Sequence, residues 1–303
     1  MKSKTFRTPS TQSGCVAGWL WFGIFSLIVV DSVWAVNAQI SIANWGLVCA
    51  GISVFVLVWL FYGISGRNTR LADMGQYAAA WIIFGLAGSI FSYCNASLAL
   101  PLLDAGFVRW DAFFGFHWKK WWDTIIANPT LAIGLAYFYS SLPAQMCIAI
   151  IYFSHKSLPE RNRELLWIAM VSGVFVSLIS GLMPARGAFD YFGIREYATH
   201  LSVLSALRES GAHEFSLSKV EGIVTFPSYH TAMAIYFTYI FRGHRILFWI
   251  FAVVNALILL SVFTHGGHYL VDVVSGALVT TLSIYIVRQF SGRFSKMNQL
   301  LPN

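Results

Sequence analysis

Eight runs of about 18–23 mostly apolar residues occupy most of this chain, at 16–37, 45–65, 78–100, 131–153, 165–183, 222–241, 246–263 and 268–289. A helix needs roughly 20 apolar residues to cross the hydrocarbon core of a bilayer. The expected fold is therefore all-α: a polytopic membrane helical bundle with about eight transmembrane helices. Composition agrees, since 57% of the residues are hydrophobic and only 11% are charged. An average soluble protein carries about 25% charged residues, so a water-soluble fold of this size is excluded. The gaps between runs are short, which predicts one integral membrane domain over residues 1–303.

A formal net charge of +7 invites a nucleic-acid reading, but the distribution of charge argues for a membrane instead. Thirteen of the 20 basic residues fall on one side of an eight-span bundle: Lys2, Lys4, Arg7, Arg67, Arg70, Lys156, Arg161, Arg163, Arg242, Arg245, Arg288, Arg293 and Lys296. Only Asp73, Glu160 and Glu164 oppose them there, whereas the other side carries seven basic and eight acidic residues. Such asymmetry marks the cytoplasmic face, and it predicts cytoplasmic termini and no nucleic-acid partner. Lys2 to Arg7, the following apolar run and Val36-Asn37-Ala38 have the outline of a cleavable signal. The run exceeds the 7–15 residues of a signal core, so a retained helix is expected. The four cysteines stand singly without metal-ligand spacing and read as small buried hydrophobes.

Two outer segments are not spans. Residues 101–130 place Phe107, Trp110, Phe114, Trp118 and Trp121 at helical spacing between charged residues, which predicts an amphipathic helix lying in the interface. Residues 184–221 form the longest polar stretch, and loops of that length in a compact protein are usually functional. Asp31 lies inside the first run, where an interhelical hydrogen bond or a water contact would satisfy it. Tyr139, Ser140, Ser141 and Gln145 place polar groups in the fourth run, for which interhelical hydrogen bonding is the expectation.

Ionisable groups at membrane depth cost about 2.5–3.5 kcal/mol each on insertion scales and so point to function. They concentrate at two outer span ends. In Phe226-Pro227-Ser228-Tyr229-His230, Pro227 suits the first position of a helix. The short helix that follows would have a recessed N-terminus, and free N–H groups there attract an anion. In Thr264-His265-Gly266-Gly267-His268-Tyr269-Leu270-Val271-Asp272, His268 and Asp272 are four apart and share a helix face. The carboxylate can hold one imidazole nitrogen and leave the other free as a nucleophile. A metal at His265, His268 and Asp272, or a proton relay, competes with this reading; neither needs the Pro-Ser-Tyr-His block, which an anion site uses. His117, His155, His213 and His244 read as interfacial anchors.

Pro227-Ser228-Tyr229-His230 and His268-x-x-x-Asp272 resemble the two histidine blocks of the type 2 phosphatidic acid phosphatase superfamily of lipid phosphate phosphatases. Met183-Pro184-Ala185-Arg186-Gly187-Ala188-Phe189, Gly222 to Ser228 and Gly267 to Asp272 are similar to the inositol phosphorylceramide synthase-like branch. The resemblance covers about residues 80–290. It implies a six-helix catalytic core at about 78–290, with the helices of about 16–70 as an N-terminal addition.

The resemblance implies that His268 attacks phosphorus and forms a phosphohistidine, that Asp272 orients it, and that His230 protonates the leaving oxygen and later activates the acceptor. Ser228, Tyr229 and nearby N–H groups would hold the phosphate oxygens. The superfamily's usual arginine six residues before the second histidine is absent, since position 262 is Val. Arg208 and Arg186 are the candidate replacements, Arg208 the favoured one, with His265 and His200 as possible auxiliaries. No metal or other cofactor is implied. The expected activity is a lipid phosphatase or phosphotransferase on the periplasmic or lumenal face, with a phospholipid or other lipid phosphate as substrate and water or a lipid hydroxyl as acceptor. A transporter or flippase relaying protons through His and Asp is the rival reading.

Overall fold

In hydrocarbon a peptide group can pair only within its own chain, which forces the apolar runs into helices. The computed structural model describes residues 11–209, 211–216 and 220–300. Lys2, Lys4 and Arg7 lie outside the described residues, as do the side chains of Arg293 and Lys296. The elements in order are α1 (Thr11–Asn37), β1 (Ile40–Ala43), α2 (Trp45–Ser65), α3 (Thr69–Ala96), α4 (Asp104–Phe113), α5 (Trp118–Ile126), α6 (Pro129–Tyr139), α7 (Leu142–His155), α8 (Pro159–Leu182), α9 (Ala188–Tyr191), α10 (Leu201–Arg208), β2 (His213–Ser216), α11 (Tyr229–Ile240), α12 (Arg245–His265) and α13 (Leu270–Leu300). The protein is an all-α membrane bundle, with β1 and β2 pairing as one short parallel ladder.

Among the described residues six helices are long and apolar enough to cross a membrane, and the α6–α7 pair, bent by 42°, makes a seventh. One of the expected straight spans is therefore corrected, and the short helix with an extended entry expected within 222–241 is found. The run 131–153 breaks after Tyr139, because Pro143 lacks an N–H and its ring would clash with the carbonyl four residues back, that of Tyr139. The run 222–241 is helical only over Tyr229–Ile240, about 18 Å at 1.5 Å per residue. Its first residues are extended, and Pro227 stands one residue before the N-cap Ser228 rather than at the first helical position.

The aromatic segment at 101–130 is also corrected. It forms two helices, α4 and α5, divided at Gly115, whose φ is +76°. Phe107, Trp118 and Trp122 turn inward as part of the core, with Phe107 against Phe226 and Trp118 against Phe189 and Phe192. Trp110, Phe113 and Phe114 form the exposed aromatic cluster. Protein, not lipid, covers Phe107 and Trp118, while Trp110 and Phe114 keep the exposed face.

Helix α3 packs on α1, α2, α7 and α8, and α13 packs on α8 and α11. Interhelical hydrogen bonds follow where the polar residues of the fourth run led: Gln145 Nε2 donates to Asn255 Oδ1 at 3.0 Å, and Asn255 Nδ2 to Thr238 Oγ1 at 2.9 Å. One end of the bundle gathers the basic turns. Arg70 Nε donates to Ser157 Oγ at 3.3 Å, Arg161 Nη2 to the Arg242 carbonyl at 3.4 Å, and Arg242 pairs with Glu164 at 2.5 Å. At the opposite end the starts of α4, α11 and α13 meet the segment that follows α8.

Candidate active site

The start of α13 carries orphan N–H groups that a buried helix end must satisfy, and two carboxylates do so. Asp272, the third helical residue, accepts the Tyr269 N–H at Oδ2 over 2.8 Å, a reach back to the N-cap residue. Asp111 of α4 accepts the N–H groups of Leu270 and Val271 at 2.9 and 3.0 Å. Burial pushes the Asp111 carboxyl above its ordinary range, and these two donors pull it back. Replacing Asp111 by Ala strips two part-buried N–H groups of their acceptor, which costs about 1–3 kcal/mol. A lower thermal unfolding midpoint in detergent is the expected result, and an unchanged midpoint would remove Asp111 from this role.

The same Asp272 oxygen lies 3.2 Å from His268 Nδ1. Asp272 is 0% and His268 3% exposed, so the pair is sealed from solvent. His268 stands just before the helix rather than on it, yet the four-residue pairing read from the sequence is made. If His268 Nδ1 carries the proton to Asp272, Nε2 keeps its lone pair.

The second block is fastened directly to the first. The Ser228 N–H donates to the Asp272 carbonyl at 3.0 Å. Ser228 Oγ caps α11 by accepting the Thr231 N–H at 3.3 Å. Gly276 lets α13 pass against the start of α11, because a Cβ there would collide with the Ser228 carbonyl. The outcome is that the His230 and His268 rings lie with centroids 6.1 Å apart. Tyr139, at the α6 break, stacks on His230 at 4.3 Å and 14°, with its hydroxyl 3.5 Å from Nδ1. Tyr229 does not turn its hydroxyl to this side; it donates to the Ala169 carbonyl on α8 at 3.2 Å. Only the backbone N–H of Tyr229 remains a candidate for an anion. His265 pairs with Thr264 Oγ1 at 3.0 Å and lies 6.1 Å from the Tyr139 ring. Among the described residues no three His, Cys, Asp or Glu side chains are grouped to hold a metal ion.

Asp104 anchors the loop after α8. Its carboxylate accepts the N–H groups of Arg186 at 3.1 Å and Gly187 at 2.9 Å, and the Tyr269 hydroxyl at 2.9 Å. Thr225 Oγ1 donates to the Ala185 carbonyl at 3.2 Å, and the Ala188 N–H to the Gly267 carbonyl at 2.8 Å. Gly267 has φ +60° and sits so close to Phe189 that a Cβ would be 2.5 Å from its ring, so only glycine serves there. His200 Nε2 donates to the Arg186 carbonyl at 3.0 Å, and burial lowers the His200 pKa.

Arg208 Nη2 donates to the Leu100 carbonyl at 2.7 Å, while Arg186 Nη1 lies 3.5 Å from Asp190. Arg186 Nε and Arg208 Nη1 are buried without a hydrogen-bond partner among the described residues. Burial lowers the Arg208 pKa, the neighbouring Arg186 guanidinium adds to that, and Asp104 opposes it. Two arginines thus share one neighbourhood, each with a buried N–H still to be satisfied.

Asp104, Asp111 and Tyr269 are not singled out by sequence reasoning, and Tyr139 is read there only as a polar group bonding between helices. One signal was present: Asp104 and Asp111 are seven apart, two turns on one face of α4.

The chain is thus a polytopic membrane bundle that brings two histidines together at the joined ends of two helices. Residues 105–286, more than half of the chain, match the PAP2 superfamily, and the chain belongs to it. That membership supports a phosphatase-type enzyme acting on lipid phosphoesters. No curated protein and no solved structure matches the chain.

Proposed function

We propose that the protein is a metal-independent lipid phosphatase or phosphotransferase that works through a phosphohistidine on His268. The observation that carries this reading is the 6.1 Å separation of the His230 and His268 rings, which leaves room for one phosphorus between them. His268 Nε2 attacks the phosphorus, the P–O bond to the lipid breaks, and His230 gives its proton to the leaving oxygen. The acceptor hydroxyl then returns a proton to His230, its oxygen bonds to phosphorus, and the P–N bond breaks. Asp272 orients His268 throughout. The Ser228 hydroxyl and the first N–H groups of α11 hold the non-bridging oxygens, joined by Arg208 and Arg186, whose buried free N–H groups suit a phosphate.

The inositol phosphorylceramide synthase-like assignment favours a lipid hydroxyl as acceptor. Its support is that the three stretches carrying the resemblance are bonded to one another, through Ala185 to Thr225 and Ala188 to Gly267. Residues 78–290 form the catalytic core in this reading, and the excess of basic residues at the opposite end supports cytoplasmic termini and a site on the periplasmic or lumenal face.

The purified protein, given a phospholipid labelled at phosphorus, forms an acid-labile, alkali-stable phosphoenzyme. Mass spectrometry of the products then separates the acceptors: water yields a free phosphate or phosphorylated headgroup, and a lipid hydroxyl yields a new phospholipid. Turnover without a phosphoenzyme would overturn the covalent route, and transport without turnover would favour the relay.

A further inference from the structure

One ionisable group at membrane depth has no place in the catalytic site. Asp31 of α1 is 3% exposed, and neither of its carboxyl oxygens has a hydrogen-bond partner among the described residues. The sequence expectation of an interhelical partner is not met. Nearby Ser32 does not supply one, because its hydroxyl donates to the Ile28 carbonyl at 2.8 Å. An isolated polar group in such surroundings is costly to keep unless a ligand or function satisfies it.

Asp31 lines a cavity of about 420 Å³ between α1, α2 and α3, within the range of small-molecule sites. Both α1 and α2 pack along α3, which leaves a cleft between them. Apolar side chains such as Ile28, Ile52, Leu86 and Ile90 form its walls, and Ile40, Ile42 and Trp45 stand at its outer end. From Ile28 to Val36 the α1 wall runs about 12 Å, and Asp31 lies about 9 Å along the helix from Asn37. The β1 segment at the mouth pairs with β2 in the loop that leads to Ser228, so the cleft opens at the catalytic end of the bundle.

Volume and chemistry select the occupant. A helix 10–12 Å across fills roughly 500 Å³ per turn, so a partner's transmembrane helix does not fit. A metal ion would find a single carboxylate and no second charged ligand among the lining residues. A flexible alkyl chain does fit, and it is the medium these helices stand in. What Asp31 adds is a carboxyl with both oxygens unpaired, which a hydroxyl or amino group on that chain satisfies as donor and acceptor together and an ether does not.

We propose that this cleft binds a single-chain membrane lipid, with its hydroxyl or amino group hydrogen-bonded to Asp31 and its chain along α1 and α3. The site is separate from the histidine pair, and its test reads binding rather than turnover.

Full-length protein in phosphatidylcholine vesicles is photolabelled with hexadecanol carrying a diazirine in its chain, with the matching hexadecylamine, and with the methyl ether of the alcohol, which lacks a donor. The alcohol or the amine labels peptides within residues 28–90 of the wild type, and the ether labels them at least tenfold less. The stronger of the two donor probes names the headgroup. Asp31→Leu lowers labelling by the donor probes at least tenfold, Asp31→Asn retains most of it, and His268→Ala labels as wild type. Should Asp31→Leu not accumulate, Ala35→Phe, which fills the cleft with Asp31 intact, gives the same loss. Equal labelling by alcohol, amine and ether, or labelling undiminished in Asp31→Leu or Ala35→Phe, would overturn the proposal.

Discussion

Replacing His268 by alanine lowers the turnover of a lipid phosphoester by about 10⁴–10⁶-fold, the scale seen when a covalent nucleophile is removed. No neighbouring group can substitute. His230 lies across the site with its ring stacked on Tyr139, and His265 is turned towards Thr264 and Tyr139. The loss falls on the chemical step, so the affinity for a non-hydrolysable phosphonate lipid stays within a fewfold of wild type. The phosphoenzyme disappears with turnover. An activity within tenfold of wild type in His268→Ala would remove the nucleophile from the proposed function.

The predicted loss is that large because the imidazole is already in place before substrate arrives. Its Nδ1 is fixed by a carboxylate that is itself fixed by the Tyr269 N–H. The helix carrying that carboxylate is in turn capped by Asp111 and braced by the Ser228 N–H. Preorganisation of this kind spares the reaction the cost of orienting its groups. It also explains why the two histidine blocks, 38 residues apart in sequence, form one rigid unit: their backbones are bonded at Ser228 and Asp272.

Where a feature depends on residues near each other in sequence, it could be read without coordinates. The apolar runs gave the helices, and the four-residue spacing of His268 and Asp272 gave their pairing. The N-cap role of Ser228 is hidden in the sequence because Pro227 equally suits the first position of a helix. The break at Tyr139 follows from Pro143 but was masked by an apolar run long enough to span. The inward turn of Phe107 and Trp118 could not be read, since an amphipathic face is the same pattern whether lipid or protein covers it. Asp104 and Asp111 were equally opaque. Their partners are the N–H groups of residues about 80–160 positions away, and backbone donors leave no mark in a sequence. Tyr139 reaches His230 side chain to side chain across 91 positions, a contact that local spacing does not encode.

His230→Ala separates the two histidines by the leaving group that each requires. With a natural lipid phosphoester the departing alkoxide needs a proton, and loss of the acid slows the reaction by about 10²–10⁴-fold. With a p-nitrophenyl phosphoester the leaving group departs unprotonated, so phosphoenzyme formation in His230→Ala falls by less than about tenfold. Breakdown still needs His230 to take the proton of the acceptor, and the phosphoenzyme therefore accumulates as a burst of one p-nitrophenolate per active site. His268→Ala shows neither burst nor label with either substrate. Tyr139 fits this division of labour, since a ring stacked at 4.3 Å with its hydroxyl 3.5 Å from Nδ1 steers His230 without touching phosphorus. If His230→Ala loses the activated ester as completely as the lipid, His230 acts before the leaving group departs, and the two imidazoles must exchange roles.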